Sequence, residues 1–189
     1  CVEELSKVCA STGVIVSAHT SLCAAPIYLF GTEEQKQKYL VPLASGEKLG
    51  AFGLTEPGAG SDAAGQKTVA VDKGDHWELN GSKVFISNGY LAGVVIVAAK
   101  TDPPHKHAMG LFLVERGMPG FERGKKLKKL GMHSQDTAEL FFNNVKVPKA
   151  NLLGNAKGGF FYLMNMLAQE RLTNACGAVA GAEAALQTT

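Results

Sequence analysis

The sequence has little that points to a membrane or to nucleic acid. None of its apolar runs reaches the roughly 20 residues that a helix needs to cross a bilayer, so we expect no membrane span. Its 19 basic and 17 acidic residues leave a net charge of only +2. That balance favours neither a nucleic-acid partner nor an acidic membrane surface. A hydrophobic fraction of 46% with 19% charged residues is ordinary for a soluble globular protein.

The sequence also lacks the glycine motif of dinucleotide-binding folds and the cysteine spacings of metal and redox sites. No G-x-G-x-x-G follows a strand pattern, so a Rossmann-type dinucleotide site is not expected. The sequence has neither an N-terminal methionine nor a targeting segment, and we interpret it as a fragment. The cysteines lack metal or redox spacing, which favours reduced thiols in a cytosolic or matrix-like compartment. They are Cys1, Cys9, Cys23 and Cys176.

The order of patterns along the chain predicts an α+β fold. Residues 1–48 are helical in character, residues 49–150 alternate with period two between turn residues, and residues 151–189 return to a helix rich in Ala, Leu and Met. We therefore predict the end of an N-terminal helical domain, a middle antiparallel β-barrel or sandwich, and the start of a C-terminal helical domain.

Local signals refine these blocks. We expect Gly31 to stop a helix, Thr32 to cap the next one and Pro42 to break it. The Asn80-Gly81 dipeptide predicts a hairpin turn. Trp77 is expected to pack inside the β-domain. The predicted strands are Ala51–Thr55, Thr68–Val71, Trp77–Leu79, Lys83–Ser87, Val94–Ala98, Gly110–Val114 and Ala138–Phe142.

The most informative segment runs from Ala51 to Asp62 and contains the run T-E-P-G-A-G-S-D. Proline fixes one backbone dihedral and glycine permits positive φ, so this loop can be tight and can approach a ligand closely. Exposed N–H groups in such a loop suit an anion or the edge of a polar heterocycle. A plain surface turn is the alternative that the spacing leaves open.

A second segment, Asn80 to Gly89, ends the apolar run Val84-Phe85-Ile86 in Ser87-Asn88-Gly89. Together the two segments resemble the acyl-CoA dehydrogenase family, whose middle β-domain carries T-E-P-G-A-G-S-D and then an aromatic-Ile-Thr/Ser-Asn-Gly strand end. The first match is complete. The second has Phe where many members have Trp, and Ser where many have Thr, which keeps an aromatic wall and a hydroxyl. The resemblance extends over residues 1–189.

This resemblance implies FAD-dependent α,β-dehydrogenation of acyl-CoA thioesters to trans-2-enoyl-CoA, with electrons passed to an electron-transfer flavoprotein, as in fatty-acid β-oxidation. It also implies a homo-oligomer, tetramer or dimer, in the bacterial cytoplasm or the mitochondrial matrix. An acyl-CoA oxidase on the same fold is one alternative. A non-catalytic flavin- or CoA-binding assembly protein is another.

The resemblance also assigns site residues. By residue type alone, the two phenylalanines could be core residues, the two hydroxyl residues could cap turns, and the arginine could lie on a solvated helix face. Because both motifs occur, in the family's order and at a suitable separation, binding roles are favoured instead. The implied flavin contacts are Phe52, Leu54, Thr55, Gly60, Ser61, Phe85, Ile86 and Ser87, and the implied substrate contacts are Ser61, Gln169 and Arg171.

Glu170 is the candidate catalytic base. On a helix it shares a largely apolar face with Leu163, Met166 and Leu167, where desolvation would raise its pKa and suit proton abstraction near neutral pH. A solvated Gln-Glu-Arg patch is the alternative. Most family members place the catalytic Glu elsewhere, but the long-chain and isovaleryl types place it directly before an arginine on this helix, as in Glu170-Arg171.

The family subtype and two charged segments stay open at this point. Residues 4–62 look closer to short-chain, butyryl-type members, whereas Ser134–Phe142 looks like the long-chain type. The basic run Lys125–Lys129 is interpreted as a solvated edge, with CoA phosphates or an acidic partner as the alternative. His105 and His107 lie in a proline-bounded loop without nearby cysteine or carboxylate ligands, so no metal site is expected.

Overall fold

The computed structural model describes all 189 residues and begins with a helical layer. Helices α1 (Val2–Val8) and α2 (Ala10–Ser17) lead through a π-helical segment (Ala18–Ala24) into α3 (Ala25–Phe30); α4 (Glu33–Gln35), a second π-helical segment (Lys36–Leu40) and α5 (Val41–Ala44) follow.

The predicted helix signals of this layer are mostly confirmed. Gly31 ends α3 in an extended conformation. Thr32 caps α4 in a reciprocal capping box with Gln35. The expectation that Pro42 breaks a helix was wrong, because the chain stays helical from Glu33 to Ala44, and Pro42 lies just after the π-helical segment in that run.

One helical run contradicts the expectation that no apolar stretch is long enough to span a membrane. Residues Ala10–Phe30 form a 21-residue helix with a mean hydropathy of 1.5, which passes by length and composition. A third of this run is buried within the molecule. Cys23 and Ile27 on it are fully buried in the core beneath the sheet, which is the environment of a core helix.

The middle of the chain forms one eight-stranded sheet in the order β6-β7-β3-β2-β4-β5-β8, with β1 paired to β4. Most pairs are antiparallel, and the two parallel pairs, β1 with β4 and β2 with β4, share β4. The predicted fold class is confirmed. The strands are β1 (Gly50–Gly53), β2 (Val69–Asp72), β3 (His76–Ser87), β4 (Val94–Lys100), β5 (Met109–Glu115), β6 (Phe121–Lys126), β7 (Thr137–Pro148) and β8 (Leu152–Leu153).

The predicted hairpin at Asn80-Gly81 was wrong, because β3 runs straight through both residues. The pairing of β3 with β7 shifts register between Leu79 and Gly81, which marks a bulge. Gly81 has φ +147, and a Cβ there would lie 2.7 Å from the Thr68 Cα. The glycine therefore serves a bulge and a close backbone approach.

The core has two clusters on opposite faces of the sheet. In β4, Val95 and Val97 point into the cluster that contains Trp77, whose predicted burial is confirmed. Their neighbours Val94 and Ile96 point into the cluster beneath the helical layer. This alternation follows from the period of two along a strand, and it buries β4 on both faces.

The chain closes with the long helix α6 (Gly159–Thr188), where a helix was predicted. Leu163 and Met166 on its first half are buried. The helix packs on α1, α2 and β5, which brings its middle turns over the helical layer and the sheet. The domain division at residues 48 and 150 stays a prediction.

Candidate active site

A cavity of about 230 Å³ lies where the first π-helical segment, α3, the ends of β1 and β3, and α6 meet. Twelve of its seventeen lining residues are hydrophobic, so a charge in its wall is poorly solvated. The lining residues are Ala18, Ser21, Leu22, Pro26, Phe30, Phe52, Leu54, Thr55, Phe85, Ile86, Ser87, Leu111, Tyr162, Leu163, Met166, Leu167 and Glu170.

Glu170 supplies the only carboxylate of this cavity. Its Oε2 lies 2.9 Å from the Ser21 Oγ. Its Oε1 is buried and has no hydrogen-bond partner. Burial raises the pKa of Glu170 above its ordinary value, although the hydrogen bond from Ser21 acts to lower it. The direction of this shift agrees with the prediction from the apolar helix face. A half-buried carboxylate with one free oxygen is equipped to accept a proton in the cavity.

The wall contributed by the sheet contains six of the predicted flavin residues. Thr55 follows β1, and Ser87 ends β3. The two segments are joined where the Val84 N–H donates to the Thr55 carbonyl oxygen at 2.8 Å. Neither side-chain hydroxyl makes a hydrogen bond within the chain, and both residues line the same cavity as Glu170.

Phe85 has the most unusual backbone in the site. Its φ is +58, in the left-handed region, which is strained for a bulky residue. The register between β3 and β7 shifts between Lys83 and Ile86, and Phe85 is 67% exposed. The alternative that Phe85 is a core aromatic was therefore wrong. Phe52 is half-buried; it packs against the core and lines the cavity as well.

After Thr55, the rest of the T-E-P-G-A-G-S-D loop adjoins this wall without lining the cavity. Glu56 and Ala59 exchange two backbone hydrogen bonds around the Pro57-Gly58 turn. Gly60 and Ser61 are exposed, and their N–H groups have no partner within the chain. Neither loop glycine has positive φ. A Cβ built at Gly58 or Gly60 would meet no atom of the chain within 4 Å, so the space above this backbone is open. Gln169 and Arg171 are likewise exposed, beside Glu170 but outside the cavity lining.

A buried ion pair behind the loop was not foreseen from the sequence. The Lys83 Nζ is fully buried and donates to Glu56 Oε1 at 2.8 Å, Gln66 Oε1 at 2.6 Å and the Leu54 carbonyl oxygen at 3.0 Å. Burial lowers the pKa of Lys83 to about 8. This pair fixes the loop and the strand that carries Phe85 to each other.

The state of Glu56 completes this ion pair. Burial acts to raise its pKa, but the Lys83 ammonium and the N–H groups of Lys67 and Thr68 outweigh it, so the pKa lies below its ordinary value. Lys83 opens a predicted strand, but nothing in the sequence marked it as buried. Its partner lies 27 residues away and gave no local sign.

The remaining charged segments lie outside the cavity. Arg123 and Lys126 on β6 stack over the Tyr90 ring at 5.6 and 5.1 Å. The expectation that no carboxylate lies near the two histidines was wrong, because His105 pairs with Asp102. The ring of His107 packs against another aromatic ring, that of Phe160. The basic run therefore includes part of an edge strand, and the two histidines have structural partners.

Comparison with known proteins matches the N-terminal helical layer and the sheet to two family models. Residues 51–145 match the acyl-CoA dehydrogenase middle domain, and residues 1–47 match the acyl-CoA dehydrogenase N-terminal domain. The short-chain specific acyl-CoA dehydrogenase of Clostridium acetobutylicum is 53% identical over 97% of this chain and 49% of its own length.

Solved structures of acyl-CoA dehydrogenases share the fold of this chain. The butyryl-CoA dehydrogenase of Megasphaera elsdenii superposes with a TM-score of 0.95 at 51% identity, over 98% of this chain and 49% of its own. An acyl-CoA dehydrogenase of Bacillus anthracis complexed with FAD gives 0.89 at 40% identity, over 96% of this chain and 31% of its own. The chain spans about half the length of the curated relatives it matches. The chain belongs to the acyl-CoA dehydrogenase family.

Proposed function

We propose that this chain carries the acyl-binding and catalytic half of an acyl-CoA dehydrogenase that oxidises acyl-CoA thioesters to trans-2-enoyl-CoA with FAD. The observation that carries the proposal is Glu170. Its carboxylate lies in an apolar cavity with a raised pKa and one unpartnered oxygen. An α-proton of a thioester is only weakly acidic, so a desolvated carboxylate at close range is the base that this reaction needs.

The residues around the cavity fit FAD as the cofactor. The free hydroxyls of Thr55 and Ser87 and the unpartnered N–H groups of Gly60 and Ser61 would hydrogen-bond a flat polar heterocycle and its pyrophosphate. The exposed ring of Phe85 would cover the heterocycle, with Phe52, Leu54 and Ile86 completing the wall. When bound, FAD supplies the acceptor for the β-hydride.

The chain's own residues supply the geometry and the proton transfer. The hydrophobic side chains of the cavity, among them Leu22, Met166 and Leu167, would exclude water from the acyl chain and keep Glu170 basic. Glu170 would take the α-proton from the thioester. Ser61, Gln169 and Arg171 would contact the CoA part of the substrate, because they are exposed beside the cavity.

We also propose electron-transfer flavoprotein as the electron acceptor and a dimer or tetramer as the assembly, both carried over from the family. The relatives include bacterial and mitochondrial proteins, which supports a bacterial cytoplasm or a mitochondrial matrix as the compartment. The relatives include both short-chain specific and long-chain specific acyl-CoA dehydrogenases. Acyl-CoAs of increasing chain length, beginning with butyryl-CoA, therefore test the preference.

Glu170→Gln in the full-length, FAD-loaded protein tests the proposal. We expect anaerobic butyryl-CoA to bleach the oxidised flavin band of the wild type, and the variant to bind FAD equally but bleach roughly 10²- to 10⁴-fold more slowly. Glu183→Gln is the matched control, because Glu183 lies on the same helix but is exposed near Lys7. Unchanged bleaching in Glu170→Gln would exclude Glu170 as the base. Rapid flavin reoxidation by air would favour an oxidase, and a protein that takes up no FAD would favour an assembly role.

A further inference from the structure

The Ser21 hydroxyl has more hydrogen-bond acceptors than protons. Its Oγ lies 2.7 Å from the Ser17 carbonyl oxygen and 2.9 Å from Glu170 Oε2. A serine hydroxyl carries a single proton and two lone pairs. The carbonyl oxygen can only accept. Ser21 is therefore unable to donate to both groups at the same time, and the state of Glu170 decides which bond it makes.

We propose that Ser21 is the positioning residue of Glu170: its one proton alternates between the Ser17 carbonyl and Glu170 Oε2, which anchors Oε2 and leaves Oε1 as the atom that takes the substrate proton. This inference rests on the proposed function for the identity of the substrate. The exchange of hydrogen bonds itself rests only on the geometry of Ser21, Ser17 and Glu170.

Two hydrogen-bond patterns follow from this arrangement. When Glu170 is ionised, Ser21 donates to Oε2, and the Ser17 carbonyl loses its bond from the hydroxyl. When Glu170 is protonated on Oε2, the carboxyl donates to the Ser21 Oγ, whose own proton turns to the Ser17 carbonyl. Both patterns use the same heavy-atom positions, so the carboxyl changes protonation state without leaving the cavity wall.

The free oxygen of Glu170 completes the assignment. Oε1 is buried and unpartnered, so it is available to a group that enters the cavity. In the reaction the α-C–H bond of the thioester breaks and its proton goes to Oε1. The electron pair of that bond becomes the new C=C bond, and a bound FAD would supply the acceptor for the β-hydride. Rotation of the carboxyl group would then bring the protonated oxygen to the Ser21 hydroxyl.

The surroundings leave Ser21 as the main polar influence on Glu170. Of the residues that line the cavity from the first π-helical segment, α3, the ends of β1 and β3, and α6, only Glu170 and Tyr162 are titratable. His19 is next to this face, but its ring contacts the Leu43 carbonyl and the Gly50 N–H instead. Arg171 is exposed. Burial raises the pKa of Glu170 and Ser21 lowers it, with no charged partner involved.

Ser21→Ala tests the proposal, with Ser17→Ala as the matched control because only the backbone carbonyl of Ser17 takes part. The protonation of Glu170 is followed by the infrared band of its neutral carboxyl group, identified as the band missing in Glu170→Gln. A charge-assisted hydrogen bond is stronger than a neutral one, so its loss should move the midpoint of this band up by roughly half to one pH unit. The acid limb of flavin bleaching by butyryl-CoA should move with it.

The outcomes separate this inference from the proposed function. An upward shift in Ser21→Ala, with Ser17→Ala unchanged, supports the exchange even if butyryl-CoA causes no bleaching. An unshifted midpoint in Ser21→Ala, or an equal shift in both variants, overturns it even if Glu170→Gln is inactive. Should Ser21→Ala fail to fold, Ser21→Cys is nearly isosteric, and its weak S–H donor should give a smaller shift in the same direction. Ser21→Thr keeps the hydroxyl and should restore the wild-type midpoint.

Discussion

Glu170 places a carboxyl group against cavity walls made mostly of hydrophobic side chains. Its folded pKa is raised by burial above the ordinary value of 4.5. The folded state therefore binds more protons than the unfolded state between these two values, and the free energy of unfolding falls as the pH rises through that window. Above the folded pKa the loss is complete. At the residue scale, the burial that makes Glu170 a stronger base also lowers the free energy of unfolding.

We predict that Glu170→Gln raises the melting temperature at pH 8, because the amide removes a desolvated charge and keeps the side-chain volume. The gain should shrink as the pH is lowered and vanish below the unfolded pKa, where the wild-type carboxyl is protonated in both states. Thermal unfolding followed by circular dichroism from pH 4 to 8 measures this, with no flavin added.

Glu183→Gln provides the reference for this experiment, since the exposed Glu183 lies on the same helix. We expect its melting temperature to stay near that of the wild type across the same pH range. If Glu170→Gln also tracks the wild type at every pH, the carboxylate of Glu170 is fully solvated and the proposed desolvation is wrong.

At the scale of elements, β3 links the core to the cavity. Lys83 on this strand points inward to Glu56, two residues before Phe85 emerges at the cavity wall. Three acceptors from the chain surround the Lys83 ammonium, and Glu56 also accepts from the N–H groups of Lys67 and Thr68. A buried pair of this kind is costly to break by removing one partner, because the other charge is left without compensation.

We predict that Lys83→Met lowers the free energy of unfolding by about 3–5 kcal/mol, and that Glu56→Gln does so as well. Urea denaturation measures both. The double variant should cost less than the sum, since each single change already removes the shared interaction. Lys146→Met is the control, because Lys146 is exposed on β7, and it should change stability by less than about 1 kcal/mol. Additive losses in the double variant would show that the two charges do not interact.

The elements differ in how far the sequence predicts them. Strands β4 and β5 are continuous apolar runs, and α6 has a clear helical pattern, so local signals suffice. An Asn-Gly dipeptide can form either a hairpin turn or a bulge. At Asn80-Gly81 the chain forms a bulge, because β3 pairs with β7 on both sides of these residues. Strand β6 is mostly charged or exposed and exists through its pairing with β7, so the basic run gave no strand signal.

In the candidate site, too, local sequence signals identify some residues, whereas long-range contacts determine the others. Its motifs lie in two short continuous segments, which made Thr55, Phe85 and Ser87 identifiable from sequence. The apolar face of the helix pointed to Glu170. The hydrogen bond from Ser21 to Glu170 joins residues 149 positions apart, and no periodicity or turn chemistry relates them. Contacts of this kind appear only once the helical layer is folded onto α6.

At the scale of the whole molecule, Asn88 joins the helical layer to the sheet. Its buried side-chain amide donates to the Ile15 carbonyl of α2 at 3.1 Å and to the Gly50 carbonyl of β1 at 3.3 Å. Its φ of +63 is one that Asn tolerates better than most residues. Asn88 directly follows Ser87, so this junction also holds the end of β3 where the cavity wall lies.

We predict that Asn88→Asp is the most damaging small change at this junction. Asp accepts the same backbone conformation, but an ionised carboxylate would face two carbonyl oxygens with no donor, and the free energy of unfolding at pH 8 should fall by at least about 3 kcal/mol. Asn88→Gly also accepts positive φ and removes both hydrogen bonds without adding charge, so it should cost about 1–3 kcal/mol. Urea denaturation at several pH values compares the two variants with the wild type.

The pH dependence distinguishes the two variants. The repulsive site raises the folded pKa of the new aspartate above its unfolded value near 3.9. The folded state then binds the extra proton, so the deficit of Asn88→Asp relative to the wild type should shrink as the pH falls through the folded pKa. The protonated carboxyl can also donate one hydrogen bond to a carbonyl. The deficit of Asn88→Gly should stay constant with pH. Equal and pH-independent losses in both variants would show that the two carbonyl oxygens between the helical layer and the sheet do not repel the aspartate carboxylate.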